Sequence, residues 1–165
     1  MIKLVAFDWN GTMLADTEAV VKATNITRSY YRYPPISKLE YRKHFTIPIV
    51  DFWLATGGKK EDMKTEHGFF HPAYESLIKK VRARKGLKET LLWLNKNGIK
   101  SVIYSNHTVP EIWKKIKSLK LEACIDDVLA RAKSEDTIHL HEKHKEARLR
   151  QYILKNKYKR KEIIT

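Results

Sequence analysis

The apolar run IKLVAF at 2–7 is too short and too rich in β-formers for a helix, so it predicts a buried strand that ends at Asp8. Behind it the apolar spacing becomes helical. Asp16 or Thr17 stands as N-cap of a helix running towards Pro34 and Pro35. Ser37 and Glu40 form an S-x-x-E capping box for the next helix, which Pro48 interrupts and Gly57 with Gly58 closes. A short charged helix near 60–66 precedes HPAYESLIKKVRA at 71–83, where Pro72 suits a first turn. Residues 16–84 therefore read as all-helical, with Tyr30, Tyr41, Phe45, Phe52, Trp53 and Tyr74 available for a small core.

The rhythm changes at Gly86. GLKETLLWLNKNG places Leu87, Leu91, Leu92 and Leu94 near one face of an amphipathic helix with Gly98 past its end, and IKSVIYS at 99–105 reads as a second buried strand. Pro110 opens the helix EIWKKIKSLK, DDVLARA at 126–132 supplies a third strand, a long basic helix lies within HEKHKEARLRQYILKNK, and KEIIT forms a last short strand. Strands alternating with helices predict an α/β fold: a parallel sheet with helices on both faces, built from 1–15 and 85–165, with 16–84 inserted after the first strand.

Composition narrows the class. A chain of 165 residues, 42% hydrophobic with four Trp, can bury one proper core plus a small insertion. No apolar run reaches the length of a membrane span, and MIKLVAFDWN lacks a signal-peptide cleavage pattern. The single Cys124 excludes an intrachain disulfide and is expected to pack as a small hydrophobe, which fits a cytoplasmic protein with no membrane partner. The net charge of +14 draws anions to the surface, and it suits nucleic acid, acidic membranes or small phosphorylated molecules as well as a merely Lys-rich proteome.

In an open parallel sheet ligands bind at the carboxyl ends of the strands, which directs attention to Asp8 and to Ser105 and Asn106. An Asp in that place can attack a phosphoryl group, Gly11 lets the backbone approach the phosphate, and Thr12 supports the turn. Taken alone, D-x-N-G-T is equally the sequence of a well-formed turn.

FDWNGTMLADT resembles the first motif of the haloacid dehalogenase (HAD) superfamily, whose phosphatases usually read hydrophobic strand, D-x-D-G-T-L, then D-T or D-S. GLKETLLWLNKNGIKSVIYSNH is similar to that family's approach to its second motif, and KHKEARLRQYILKNKYKRKEIIT to its third-motif region, where a Lys precedes a helix and the fourth strand. The resemblance spans nearly the whole chain and implies a Rossmann-like core with a small helical cap at 16–84, of the phosphoglycolate phosphatase and β-phosphoglucomutase type. It implies Mg²⁺ as cofactor and a small phosphorylated substrate. It also implies that Asp8 is the nucleophile and a Mg²⁺ ligand, that position 10 (Asn10) offers its backbone carbonyl to the metal, and that Gly11, Thr12, Ser105 and Asn106 bind the phosphoryl group. Lys145 would balance the charge, with Lys143 as the alternative at the start of the same helix.

Two departures from the family pattern matter. Asn10 stands where family phosphatases carry the Asp that protonates the leaving oxygen and later activates water, so reduced turnover is expected with phosphate binding kept. The family has branches with Thr, Tyr or Ala at this place, so the resemblance implies that replacement changes the chemistry without necessarily ending it. The fourth motif, an acidic loop that completes the Mg²⁺ site, has no counterpart before KEIIT, so the core reads as C-terminally shortened. Asp126, Asp127, Glu135 and Asp136 near the third strand are no clear substitutes, and the final strand offers an edge for an oligomer. The alternative reading is a catalytically inactive member of the same fold that binds nucleic acid or another polyanion through its basic surface. HLHEKH at 139–144 misses the zinc spacing by one residue and reads as an ordinary helix start, while His107, just after Ser105 and Asn106, reads equally as a substrate contact or a turn residue.

Overall fold

The computed structural model describes residues 1–132 and 144–165. Among them the chain divides into two compact units: Met1–Ala15 with the described residues from Arg82 onward, and Asp16–Val81.

The first unit is built on a parallel sheet. Strands β1 (Leu4–Asp8), β2 (Lys100–Thr108), β3 (Asp127–Arg131) and β4 (Ile163–Ile164) lie in the order β3-β2-β1-β4. Leu4, Val5 and Ala6 are consecutive and all buried, which requires cover on both faces of the sheet. Leu4, Ala6 and Val102 pack with Leu149 of α7 (His144–Lys155), together with Tyr104, Leu129, Tyr152 and Ile153. Helices α5 (Leu87–Lys96) and α6 (Val109–Ser118) also pack against the sheet. Because β2 and β3 extend to one side of β1 while β4 returns on the other, strand order reverses beside β1. That places Asp8 where such sheets form their ligand crevice.

Two expectations are corrected here, for Leu92 and for the end of β2. Leu92 is about half exposed, because Leu87, Leu91 and Leu94 alone follow the buried stripe of α5. Strand β2 continues to Thr108, three residues beyond the expected end: its pairing with β3 is irregular after Tyr104 and resumes at Thr108 opposite Arg131. Asp126 is committed to structure at the start of β3, where its carboxylate takes Lys100 Nζ at 2.7 Å and the Ser101 N–H at 2.8 Å. Asp127 likewise receives the N–H of Val128 at 2.8 Å. Glu135, Asp136 and HLHEK at 139–143 lie outside the described residues.

The second unit is helical: α1 (Thr17–Tyr30), α2 (Lys38–His44), α3 (Ile49–Ala55) and α4 (Glu66–Ile78), with a 3₁₀ turn at Lys60–Lys64. The Ser37–Glu40 capping box forms as the sequence predicts. Asp16 precedes α1 but caps nothing with its side chain; buried, it accepts the Tyr74 hydroxyl at 2.7 Å beside Ala19 and Ala23. Helix α4 starts at Glu66, not near 71, so Pro72 lies inside it, and the missing N–H falls opposite the carbonyl of Gly68. Phe52, Trp53 and Tyr74 are buried as expected, whereas Tyr30 and Phe45 are exposed.

A buried cation organises the α1–α3 end of this unit. Arg28 is 2% exposed and donates from Nε to Pro34 O (2.8 Å) and from Nη2 to Thr56 O (2.9 Å), with its guanidinium carbon 5.6–5.7 Å from the centres of the Tyr33 and Trp53 rings. The same two aromatic residues meet Asp62, whose Oδ2 accepts from Tyr33 Oη (2.9 Å), Trp53 Nε1 (3.0 Å) and Lys59 N (2.9 Å). Desolvation pulls the Asp62 carboxyl upward, but the Lys59, Trp53 and Tyr33 donors outweigh it and hold the pKa below its ordinary 3.8. A lowered carboxylate pKa stabilises the fold fully above the unfolded value and loses that contribution as pH falls through the folded one. Asp62→Asn is therefore expected to cost about 1–2 kcal/mol at neutral pH, discounted for the solvent access of this group. In thermal melts across acid pH the difference from the parent should vanish once the parent carboxylate is protonated; a difference independent of pH would contradict this account.

Candidate active site

Strand β1 stops at Asp8 because the chain then turns sharply. Trp9 and Met13 bury their side chains, Leu14 N–H closes on Trp9 O at 3.1 Å, and Asn10, Gly11 and Thr12 are left at the rim. Gly11 has φ +73°, which favours glycine; a Cβ there would touch nothing, so conformation and not space sets the requirement. Asn10 remains extended at φ −72° and ψ 132°.

The Asp8 side chain is 30% exposed and carries two contacts: Lys145 Nζ lies 2.6 Å from Oδ1, and Thr12 Oγ1 lies 3.4 Å from Oδ2. Lys145 is in the first turn of α7, with its ammonium 5.2 Å from the centre of the Tyr104 ring. Tyr104 is the register partner of Asp8 across β1–β2, which explains why one amine reaches both. Lys143 lies outside the described residues.

Ser105 and Asn106 follow Tyr104 in the irregular stretch of β2. Ser105 is buried, and its hydroxyl accepts the His107 N–H at 3.0 Å. Arg148 donates from Nη2 to Ser105 O (2.8 Å) and to Asn106 Oδ1 (3.3 Å), while Arg131 Nε donates to Asn106 O (2.7 Å). One helix thus supplies both the amine beside Asp8 and the guanidinium behind the Ser105–Asn106 stretch, three residues apart on one face. Neither arginine stands out in the sequence, and the spacing from Lys145 is the signal that points to Arg148. His107 is tied to the start of α6, its Nδ1 being 2.8 Å from Thr108 N and 3.0 Å from Glu111 Oε2, which also receives the Thr108 hydroxyl.

Burial holds the Arg148 guanidinium below its usual pKa, and neighbouring Arg131 pushes the same way against the opposing Glu146. Arg148 stays charged at neutral pH nonetheless. Lys145, Arg131 and Arg148 therefore give the strand ends a positive field suited to a dianionic phosphate. No group of three or more potential metal ligands among His, Cys, Asp and Glu occurs among the described residues. The Asp8 carboxylate and the Asn10 carbonyl are oxygens of the kind that Mg²⁺ takes, a cation that uses one or two carboxylates and completes its shell with water and substrate phosphate.

The parallel sheet, with a carboxylate at the end of its first strand and an amine delivered to it by a late helix, is a Rossmann-like α/β core. The chain belongs to the haloacid dehalogenase-like hydrolase family, whose sequence model matches residues 5–164. Similar solved structures include a haloacid dehalogenase-like hydrolase from Streptococcus pneumoniae (16% identity, 94% of this chain and 70% of that one, TM-score 0.75). A predicted phosphatase from Clostridium acetobutylicum shares 16% identity over 99% of this chain and 74% of its own, with a TM-score of 0.73. A predicted phosphoglycolate phosphatase from Haemophilus somnus shares 15% over 98% and 75%, with a TM-score of 0.71. At these identities the likeness is one of fold. None of the curated proteins compared is significantly similar. Among the described residues no helix is long and apolar enough to cross a membrane.

Proposed function

We propose that the protein is a phosphatase that acts on a small phosphorylated substrate through an aspartyl-phosphate on Asp8, with the helical unit as a cap that contributes substrate choice. The observation that carries this reading is the partly exposed Asp8 carboxylate at the reversal of strand order, with the Lys145 ammonium 2.6 Å from one oxygen. In the reaction an Asp8 oxygen attacks phosphorus as the bond to the leaving oxygen breaks, and water then cleaves the acyl phosphate to release inorganic phosphate and regenerate the carboxylate. Lys145 balances charge on Asp8 and the phosphoryl oxygens, and Ser105 and Asn106 orient that group. When bound, Mg²⁺ would be held by Asp8 and the Asn10 carbonyl and would neutralise phosphate charge. Asn10 can donate a hydrogen bond but cannot transfer a proton, so both departure of the leaving group and activation of water lack the usual help.

The test is phosphomonoester turnover with Mg²⁺ in the parent and in Lys145→Met. Loss of one preorganised cation should lower the rate roughly 10²–10³-fold. Lys143→Met is expected to act like the parent, and the reverse pattern would assign the role to Lys143. An absence of Asp8-dependent turnover, accompanied by strongly salt-dependent nucleic-acid binding, would instead favour the inactive polyanion-binding reading.

A further inference from the structure

The three carbonyls that follow Asn10 in the turn behind Asp8 all end on one residue. Arg84 donates its backbone N–H to Met13 O at 2.9 Å, its Nε to Thr12 O at 3.1 Å, and its Nη2 to Gly11 O. It arrives from far along the chain, on the segment that re-enters the sheet unit. That segment runs antiparallel to the outgoing one through the Leu14–Ala83 bridge and the Ala15 N–H to Arg82 O bond of 3.1 Å.

We infer that Arg84 is a positioning residue for phosphoryl transfer, fixing the shape of the turn behind the nucleophile without touching substrate; this rests on the phosphatase reading above. A carbonyl and the next N–H point in opposite directions across a planar trans peptide, so anchoring the Gly11 and Thr12 carbonyls also fixes the Thr12 and Met13 amides. Thr12 is then held between two clamped peptide planes, with its hydroxyl 3.4 Å from Asp8 Oδ2. The restraint is needed at this point. Gly11 has no side chain to pack, and nothing lies within 4 Å of where a Cβ would stand, so van der Waals contact cannot hold its φ of +73°. A guanidinium, planar with several donors in a fixed fork, spans successive carbonyls in a way that the single ammonium of a lysine does not.

The experiment compares Arg84→Met and Arg84→Lys with the parent in the full chain, using p-nitrophenyl phosphate with Mg²⁺. Both variants should slow phosphoenzyme formation about 10- to 100-fold, the scale that misplacement of a reacting group by about 1 Å produces. The substrate concentration giving half the maximal rate should stay within about twofold, since no ground-state contact is lost. Hydrogen exchange in the peptide spanning residues 9–14 should accelerate at least about tenfold, with β2 unchanged. An increase in half-saturating concentration alone would make Arg84 a substrate contact, and parent-like behaviour of Arg84→Lys would show that only charge matters; either result overturns the inference. Should Arg84→Met fail to fold, Arg84→Lys carries the same comparison. Equal background rates in the parent and Asp8→Ala would defeat the phosphatase reading itself. The exchange measurement needs no turnover and still decides whether Arg84 holds the turn; unchanged protection there refutes the role.

Discussion

Asn10→Asp is expected to raise steady-state hydrolysis of an alkyl phosphate by about 10²–10⁴-fold, the range that a positioned general acid and base supplies. The backbone at position 10 is extended and at the rim, with no special conformation that only Asn would satisfy, so the exchange of amide for carboxyl imposes no backbone strain. With an alkyl leaving group the departing oxygen needs a proton, and the second step needs water to lose one; an amide side chain serves neither. Aryl phosphates separate the two steps, because a nitrophenolate leaves without protonation. The parent should release nitrophenol in a burst of one per molecule and then turn over slowly, whereas Asn10→Asp should show little burst and a faster steady state. Equal rates for the two proteins on alkyl phosphates would mean that another group carries the protons.

Asp8→Asn is expected to remove turnover altogether, down to the uncatalysed background. The amide is nearly the same size, but it offers no anionic oxygen to attack phosphorus and leaves the Lys145 ammonium without its partner at 2.6 Å. The contrast with Lys145→Met is informative: the lysine substitution weakens charge stabilisation and leaves a residual reaction, while the Asp8 substitution removes the bond-forming atom. Activity in Asp8→Asn within about tenfold of the parent would place the chemistry elsewhere, since covalent catalysis does not survive loss of its nucleophile.

Some of this architecture is local enough to be read from the chain. The strand ending at Asp8 follows from an apolar run cut off by a charge, and the Ser37–Glu40 box depends on residues three apart. The start of α4 is not legible in the same way: Pro72 looks like a first-turn residue, yet packing of α1 against α4 around Ala19, Ala23 and Tyr74 sustains a turn before it despite the missing N–H. Leu92 misleads for a related reason, since neighbouring leucines fall on different sides of a helix and only three share the buried stripe.

At the site, Asp8 and Lys145 were marked by motif position, and the structure brings them into contact across 137 residues. The arginines were invisible. Arg84, Arg131 and Arg148 grip carbonyls 72, 25 and 43 residues away, and in a chain with 33 Lys and Arg only the three-residue spacing of Arg148 from Lys145 separates any of them from solvated surface charge. Their meaning comes mainly from tertiary hydrogen bonds to backbone, which leave no pattern in the sequence; Arg148 also reaches a side chain, at Asn106 Oδ1.

The most direct test of the central claim is to trap the phosphoenzyme. The parent is mixed with p-nitrophenyl phosphate and Mg²⁺, quenched in acid during the slow phase, digested, and mapped by mass spectrometry. One phosphoryl group on Asp8, absent from Asp8→Asn and scarce in Asn10→Asp, is the predicted result. Turnover with no covalent adduct, or with the group on Ser105 or another side chain, would contradict the account.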